Sequence, residues 1–179
     1  VADPSTGRRQ AIDPATGRRL SLTYTLGRAA QQDREEAEFM KSFYDRIGID
    51  LELKFMTWTG FLQAVDEGRV QLFRMGWAGD YPDAENFLQL FLQKNLPPGP
   101  NHAAYVNPAF DEVYTAALRT EDEAARNELW LKAQEIVRED CPWVFLYQSE
   151  RYSLASGRLL NCIPGDFAYG MEKHLRIKQ

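Results

Sequence analysis

Residues 72–87, Leu-Phe-Arg-Met-Gly-Trp-Ala-Gly-Asp-Tyr-Pro-Asp-Ala-Glu-Asn-Phe, constrain the fold of this chain more than any other stretch. The segment opens apolar and short, as a strand buried on both faces does. It breaks at Gly76 and Gly79, passes Trp77 and Asp80, and restarts as a helix after Pro82. A strand that ends in a glycine-bracketed turn and feeds a helix is where an open α/β sheet holds a ligand. The glycines let a ligand approach the main chain, Trp77 offers a flat apolar wall, and Asp80 offers a fixed negative charge.

What precedes this stretch predicts the sheet it belongs to. Leu20, Leu22, Tyr24 and Leu26 alternate with polar residues, a strand period, and Gly27 ends the run. Residues 33–47 read as a helix, with Ala37, Met40, Tyr44 and Ile47 on one face, acidic residues in its first turn and Gly48 closing it. Residues 49–55 alternate again, and residues 59–67 form a short helix ended by Gly68. Residues 70–75 are the third strand. Strand, helix, strand, helix, strand in close succession predicts a parallel sheet with right-handed crossovers.

Downstream the pattern is mostly helical. Residues 83–93 form a helix with Phe87, Leu88, Leu90 and Phe91. A rigid Pro-Pro-Gly-Pro-Asn-His loop follows, in which Asn101 and His102 are expected at the surface, the alternative being an approach to the cleft. Asn107 and Pro108 are an N-cap and first-turn proline for a helix over 107–118. The longest helix spans 122–139, with Ala125, Leu129, Ala133, Ile136 and Val137 as its buried stripe. Residues 143–148 read as a strand, 151–155 as its hairpin partner, and 175–177 as a terminal strand. Before the first strand, Asp3-Pro4-Ser5-Thr6-Gly7-Arg8-Arg9 is nearly repeated from Asp13 to Arg19. Two short copies make no repeat architecture, and a solvated, turn-rich arm is expected.

Composition narrows the function. The 179 residues fit one domain, with 44% hydrophobic and 26% charged residues. A net charge of −5 gives no reason to expect nucleic acid as a partner, and no apolar run approaches a membrane helix. There is no Gly-x-Ser-x-Gly elbow, no Walker loop and no His-Glu-x-x-His, and His102 and His174 lack metal-ligand spacing. Asp80 and Asp83 form an acidic pair beside a turn, which helix capping explains better than acid–base chemistry. Cys141 and Cys162 are either one disulfide or two buried thiols.

Four segments carry a family resemblance. Gly76-Trp77-Ala78-Gly79-Asp80-Tyr81-Pro82-Asp83-Ala84, Thr57-Trp58-Thr59-Gly60-Phe61-Leu62, Tyr105-Val106-Asn107-Pro108-Ala109-Phe110-Asp111 and Pro142-Trp143-Val144-Phe145-Leu146-Tyr147 resemble, in order, the second lobe of family 5 extracellular solute-binding proteins. These are the dipeptide-, oligopeptide- and nickel-binding receptors of ATP-binding-cassette importers. The resemblance implies an α/β fold, one lobe of a type II periplasmic-binding-protein-like architecture, with a mixed, mostly parallel sheet flanked by helices. It divides the chain into an arm over 1–19, a ligand-binding lobe over 20–155 and a tail over 156–179 that crosses to the other lobe. The Val1 opening, with no export signal, fits a piece of a longer receptor.

The resemblance also implies roles. Asp80 meets a ligand's α-ammonium; from spacing alone it equally reads as the cap of the next helix. Trp58 and Trp77 wall side-chain pockets, where local pattern would bury them in a core. Ala78 and Gly79 bring main-chain groups to a peptide. Arg74 faces the ligand's carboxylate, or else is an exposed strand residue in an ion pair. No cofactor and no metal are implied. The implied partners are a small-molecule or peptide ligand, the N-terminal lobe of the same protein and the importer's membrane permease, with the receptor itself a monomer. The implied location is periplasmic or extracellular, with a lipid anchor as one form. The alternative is a ligand-sensing domain of a transcription regulator built on the same lobe.

Overall fold

The computed structural model describes residues 10–148, 150, 152–162 and 171–178, with Met171 and Glu172 by their backbone alone. The chain divides into two compact units. One ends at Gly76 and includes Pro97–His102; the other comprises Trp77–Leu96 and the chain from Ala103 onward.

The first unit holds the parallel sheet. Its elements are β1 (Ser21–Leu26), α1 (Gln31–Arg46), β2 (Asp50–Phe55), α2 (Trp58–Asp66) and β3 (Leu72–Phe73). The strand order is β2-β1-β3, with Ser21 beside Asp50 and Leu26 beside Phe55 on one flank, and Tyr24 beside Leu72 on the other. Tyr24, Leu26, Ala37 and Leu51 form the core, packed by Leu22, Tyr44, Leu53, Phe55 and Leu72. Thr25 is buried as well as Tyr24 and Leu26, so β1 is covered on both faces, as a central strand is. The third strand is shorter than residues 70–75, because only Leu72 and Phe73 pair with β1.

Glycine ends both helices of this unit in the left-handed region, Gly48 at φ +81° and Gly68 at φ +65°. The second Asp-Pro-x-Thr-Gly copy is a tight turn. The Asp13 carboxylate accepts the Ala15 N–H at 2.9 Å and the Thr16 hydroxyl at 2.7 Å. Ala11 N–H donates to the Gly48 carbonyl at 3.0 Å, which joins the turn to the end of α1. The first copy lies outside the described residues.

The second unit is mainly helical: α3 (Glu85–Leu88), α4 (Pro108–Arg119), α5 (Glu123–Asp140), and an antiparallel pair of β4 (Leu159–Leu160) with β5 (Arg176–Ile177). The Asn107 cap is as read from sequence, whereas Asp122, read as the start of the long helix, is its cap. Asn107 Oδ1 accepts from Ala109 N–H at 2.9 Å, and Asp122 Oδ1 from Ala125 N–H at 2.8 Å.

Several expectations need correction. The helix over 83–93 stops after four residues and continues as 3-10 turns, Gln89–Phe91 and Gln93–Asn95. Side chains take the backbone groups that would have extended it: Asn95 Nδ2 donates to the Gln89 carbonyl at 2.8 Å, and Asp111 accepts the Gln93 N–H at 3.2 Å. The break lets Leu88, Leu90, Phe91 and Leu92 all reach the core, which one face of a straight helix does not allow.

On α5 the buried stripe is Trp130, Ala133 and Val137; Leu129 and Ile136 are half-buried and Ala125 is exposed. The stripe is turned towards Trp130, the largest apolar side chain on the helix, which packs on Tyr114 at 5.2 Å between ring centroids. Residues 143–148 form no strand. Trp143 packs on Phe91 at 4.5 Å, but Val144, Phe145, Leu146 and Tyr147 are exposed, and no strand among the described residues pairs with them. Residues 152–155 form no hairpin with them, and Arg151 lies outside the described residues. The terminal strand is present and pairs with Leu159–Leu160, which the sequence pattern had not marked. Cys141 and Cys162 are free and exposed, so neither the disulfide nor the pair of buried thiols is formed.

Candidate functional site

The order β2-β1-β3 makes a topological switch point. The chain leaves β1 to one side for β2, then crosses to the other side for β3, and it is beyond the carboxyl ends of strands at such a point that open α/β sheets hold ligands. The residues just beyond those ends are Gly27 after β1, Met56 to Trp58 after β2, and Arg74 after β3.

Gly27 has a role beyond ending the strand. A Cβ there would lie 2.7 Å from Cδ1 of Phe61 and 2.8 Å from Cε3 of Trp58. Only glycine lets the two rings lie across the end of β1. Trp58 opens α2, whose first turn is capped by Thr57 Oγ1 accepting the Gly60 N–H at 3.3 Å. Its indole leans on Phe61 at 5.6 Å, and Phe61 meets Phe73 at 6.2 Å. Phe61 is fully buried while Trp58 stays 51% exposed, so the indole is an exposed plate on a fixed base.

Arg74 does not project freely. Its guanidinium is paired with Asp33 at 3.1 Å and with Glu36, both in the first half of α1. Asp33 is buried and also accepts the Ala30 N–H at 3.2 Å, so one carboxylate both caps α1 and ties it to the end of β3. Asn101 and His102 were expected at the surface. Asn101 is instead fully buried and His102 largely so, with His102 Nδ1 3.7 Å from the Asp66 carboxylate.

The turn itself belongs to the other unit. Trp77 is 40% exposed, Ala78 and Asp80 are exposed, and Gly79 is buried. The Trp77 indole Nε1–H donates to Asn86 Oδ1 at 2.9 Å, and the Asp80 backbone N–H donates to the same oxygen at 3.3 Å. Asp80 does not cap the next helix. That role falls to Asp83, whose Oδ1 accepts the Glu85 N–H at 2.9 Å while Oδ2 pairs with Arg126 at 2.8 Å. Among the described residues the Asp80 carboxylate makes no hydrogen bond or ion pair. Glu85 receives the hydroxyls of Tyr81 and, at 2.6 Å, Tyr114. Burial first, and the Glu85 bond second, push the Tyr114 hydroxyl well above its ordinary range.

Sequence reasoning missed Asn86 and the second role of Gly27. Asn86 had a signal: it is the one amide between Asp83 and Leu88, next to the apolar Phe87 and Leu88. Among the described residues no group of three or more His, Cys, Asp or Glu side chains could hold a metal, and no helix is long and apolar enough to cross a membrane. Within its own unit the turn thus presents one exposed indole, main-chain groups and one carboxylate without a partner among the described residues.

The family model for bacterial extracellular solute-binding proteins, family 5 Middle, matches residues 2–96. The chain belongs to this family. It is 34% identical over 101 residues to the oligopeptide-binding protein OppA of Bacillus subtilis, covering 56% of this chain and 18% of OppA. The periplasmic binding protein DppA of Helicobacter pylori, solved with the peptide STSA, superposes with a TM-score of 0.65 at 29% identity over 70% of this chain and 25% of that one. AppA of B. subtilis, solved with a nonapeptide, superposes over 92% of this chain and 33% of its own with a TM-score of 0.76 at 18% identity, a likeness of fold. This family 5 chain therefore has the fold of part of a type II periplasmic binding protein, and spans between about a fifth and a third of those relatives.

Proposed function

We propose that this family 5 chain is the C-terminal lobe, over residues 20–155, of a non-catalytic, peptide-type receptor serving an ATP-binding-cassette importer in the periplasm or extracellular space. Residues 156–179 then run on to the rest of the receptor. The observation that carries the reading is the Asp80 carboxylate, exposed, without a partner among the described residues, and three residues from the exposed Trp77 indole. A carboxylate freed from capping is available to a ligand's α-ammonium, and the pair gains strength where water is excluded. Trp77 and Trp58 are assigned as aromatic contacts for ligand side chains, and Ala78 and Gly79 as main-chain contacts. Arg74 enters differently: a ligand carboxylate reaches its guanidinium only in competition with Asp33 and Glu36. Peptide-binding relatives support the ligand class, and recognition of the closed, loaded form by the permease follows from it.

The test is a double-mutant cycle on the longest natural form of the receptor, with free and N-acetylated tri-alanine as probes. Asp80→Asn should weaken the free-amine peptide by about 2–5 kcal/mol and the acetylated one far less. Equal losses for both peptides would remove Asp80 from the ligand contact.

A further inference from the structure

We propose that Asn86 is the positioning residue of the Trp77–Asp80 turn, a step that rests on the ligand reading above but is testable without a ligand. Asn86 is 1% exposed. Its single carbonyl oxygen accepts two donors, the Trp77 indole N–H at 2.9 Å and the Asp80 main-chain N–H at 3.3 Å. A carbonyl has two lone pairs, and here both are used by the same turn. The bonds close a ring that runs from the Trp77 side chain through Asn86 to the Asp80 backbone and returns through Gly79 and Ala78. The indole face and the residue bearing the free carboxylate are therefore set by one buried atom.

The anchor is itself held. Glu85, its neighbour, takes the Tyr114 hydroxyl at 2.6 Å, and Asp83 pairs with Arg126 at 2.8 Å. The Gln89 side chain donates to the Asn86 main-chain carbonyl at 3.2 Å. Leu88, two residues on, lies in the core of this unit. A site carried on a loop gains precision when such a buried shell fixes it. There is a consequence for specificity. Because the indole N–H points inward to Asn86, the exposed part of Trp77 offers carbon only. It presents an apolar wall with no hydrogen-bond donor, and selects against ligand side chains that require one.

The experiment compares Asn86→Leu, which removes the acceptor at similar volume, with Asn86→Asp, which keeps one. Hydrogen exchange by 15N NMR reads the indole N–H of Trp77, identified by its loss in Trp77→Phe, and the amide of Asp80. Asn86→Leu should speed exchange at both by about tenfold, with α4 and α5 amides unchanged, and Asn86→Asp should restore protection. Should Asn86→Leu fail to fold, Asn86→Ala, which adds no bulk, takes its place. Unchanged exchange at the two N–H groups overturns the proposal. In the longest natural form of the receptor, calorimetry with tri-alanine should show about tenfold weaker binding for Asn86→Leu and recovery for Asn86→Asp. Faster exchange with unaltered tri-alanine affinity also overturns it as a positioning role. If wild type binds no tri-alanine, the peptide reading fails, and the exchange result alone decides for or against Asn86.

Discussion

At the scale of single residues, the exposed indole of Trp58 depends on an absent side chain. Gly27→Ala would place a methyl group within 2.7 Å of Phe61, which is fully buried and cannot yield cheaply. The expected loss is about 1–3 kcal/mol of stability, as for other overpacked sites, measured by denaturant unfolding. A crystal structure of the variant should show Trp58 displaced from the end of β1. A second residue-level prediction concerns alkaline pH. Burial first, and then the hydrogen bond it donates to Asp140, push Tyr105 up from 10.0 to about 12. The folded state holds this proton more tightly than the unfolded chain, so the contribution is full below pH 10 and is lost between pH 10 and about 12. Tyr105→Phe should flatten that part of the stability–pH curve. An unchanged slope would mean the hydroxyl is not held in solution. What the sequence showed at this scale was residue type, not partner. Asp80 read equally as cap or ligand contact, and the capture of the Glu85 N–H by Asp83 removes only the first. The partners of Asn86 were invisible because they lie six and nine positions away, beyond any local period.

At the scale of elements, legibility followed the physics of the local signals. The parallel strands, the helices α1, α2, α4 and α5, the Asn107 cap and the closing glycines of α1 and α2 came through because period, glycine and an Asn cap all act within a few residues. Asn107→Ala should therefore cost about 1 kcal/mol of stability, plus the loss of the 2.7 Å bond from Asn107 Nδ2 to Asp140; thermal unfolding would show it. The segment after Asp83 was misjudged because apolar density there exceeds what one helical face buries, and tertiary demand for Leu88, Leu90, Phe91 and Leu92 broke the helix. The stripe on α5 was misplaced because the alternative of i, i+3, i+7 through Trp130 depends on what Tyr114 presents from α4. Trp130→Ala should cost about 3–5 kcal/mol, the range for truncating a buried aromatic, whereas Ala125→Gly at its exposed position should cost only about 1 kcal/mol, from helix propensity. Comparable losses from both, in chemical denaturation, would restore the stripe first read from sequence.

At the scale of the whole molecule, Val144 to Tyr147 has the composition of a strand and the exposure of a loop, with Val144 at 74% and Tyr147 at 70% exposed. Strand propensity records how well side chains fit a pleated, half-buried surface, and no strand among the described residues supplies that surface. Limited digestion of the 179-residue chain with chymotrypsin should cut first at Phe145, Leu146, Tyr147, Tyr152 or Leu154, all exposed and outside any helix or strand. Early cleavage inside α4 or α5 instead would show that these helices open before the segment does.

The two thiols bear on how the state of association is measured. Cys141 ends α5 with a left-handed backbone at φ +47°, and both it and Cys162 are exposed and unbonded. Sulfhydryls so placed on separate copies can oxidise to one another on storage in air. Dimers or larger species seen in sizing columns are then a record of sample history rather than of self-recognition. Running the column with and without a reductant separates the two: a larger species that vanishes on reduction is covalent, and one that persists is held by surface complementarity.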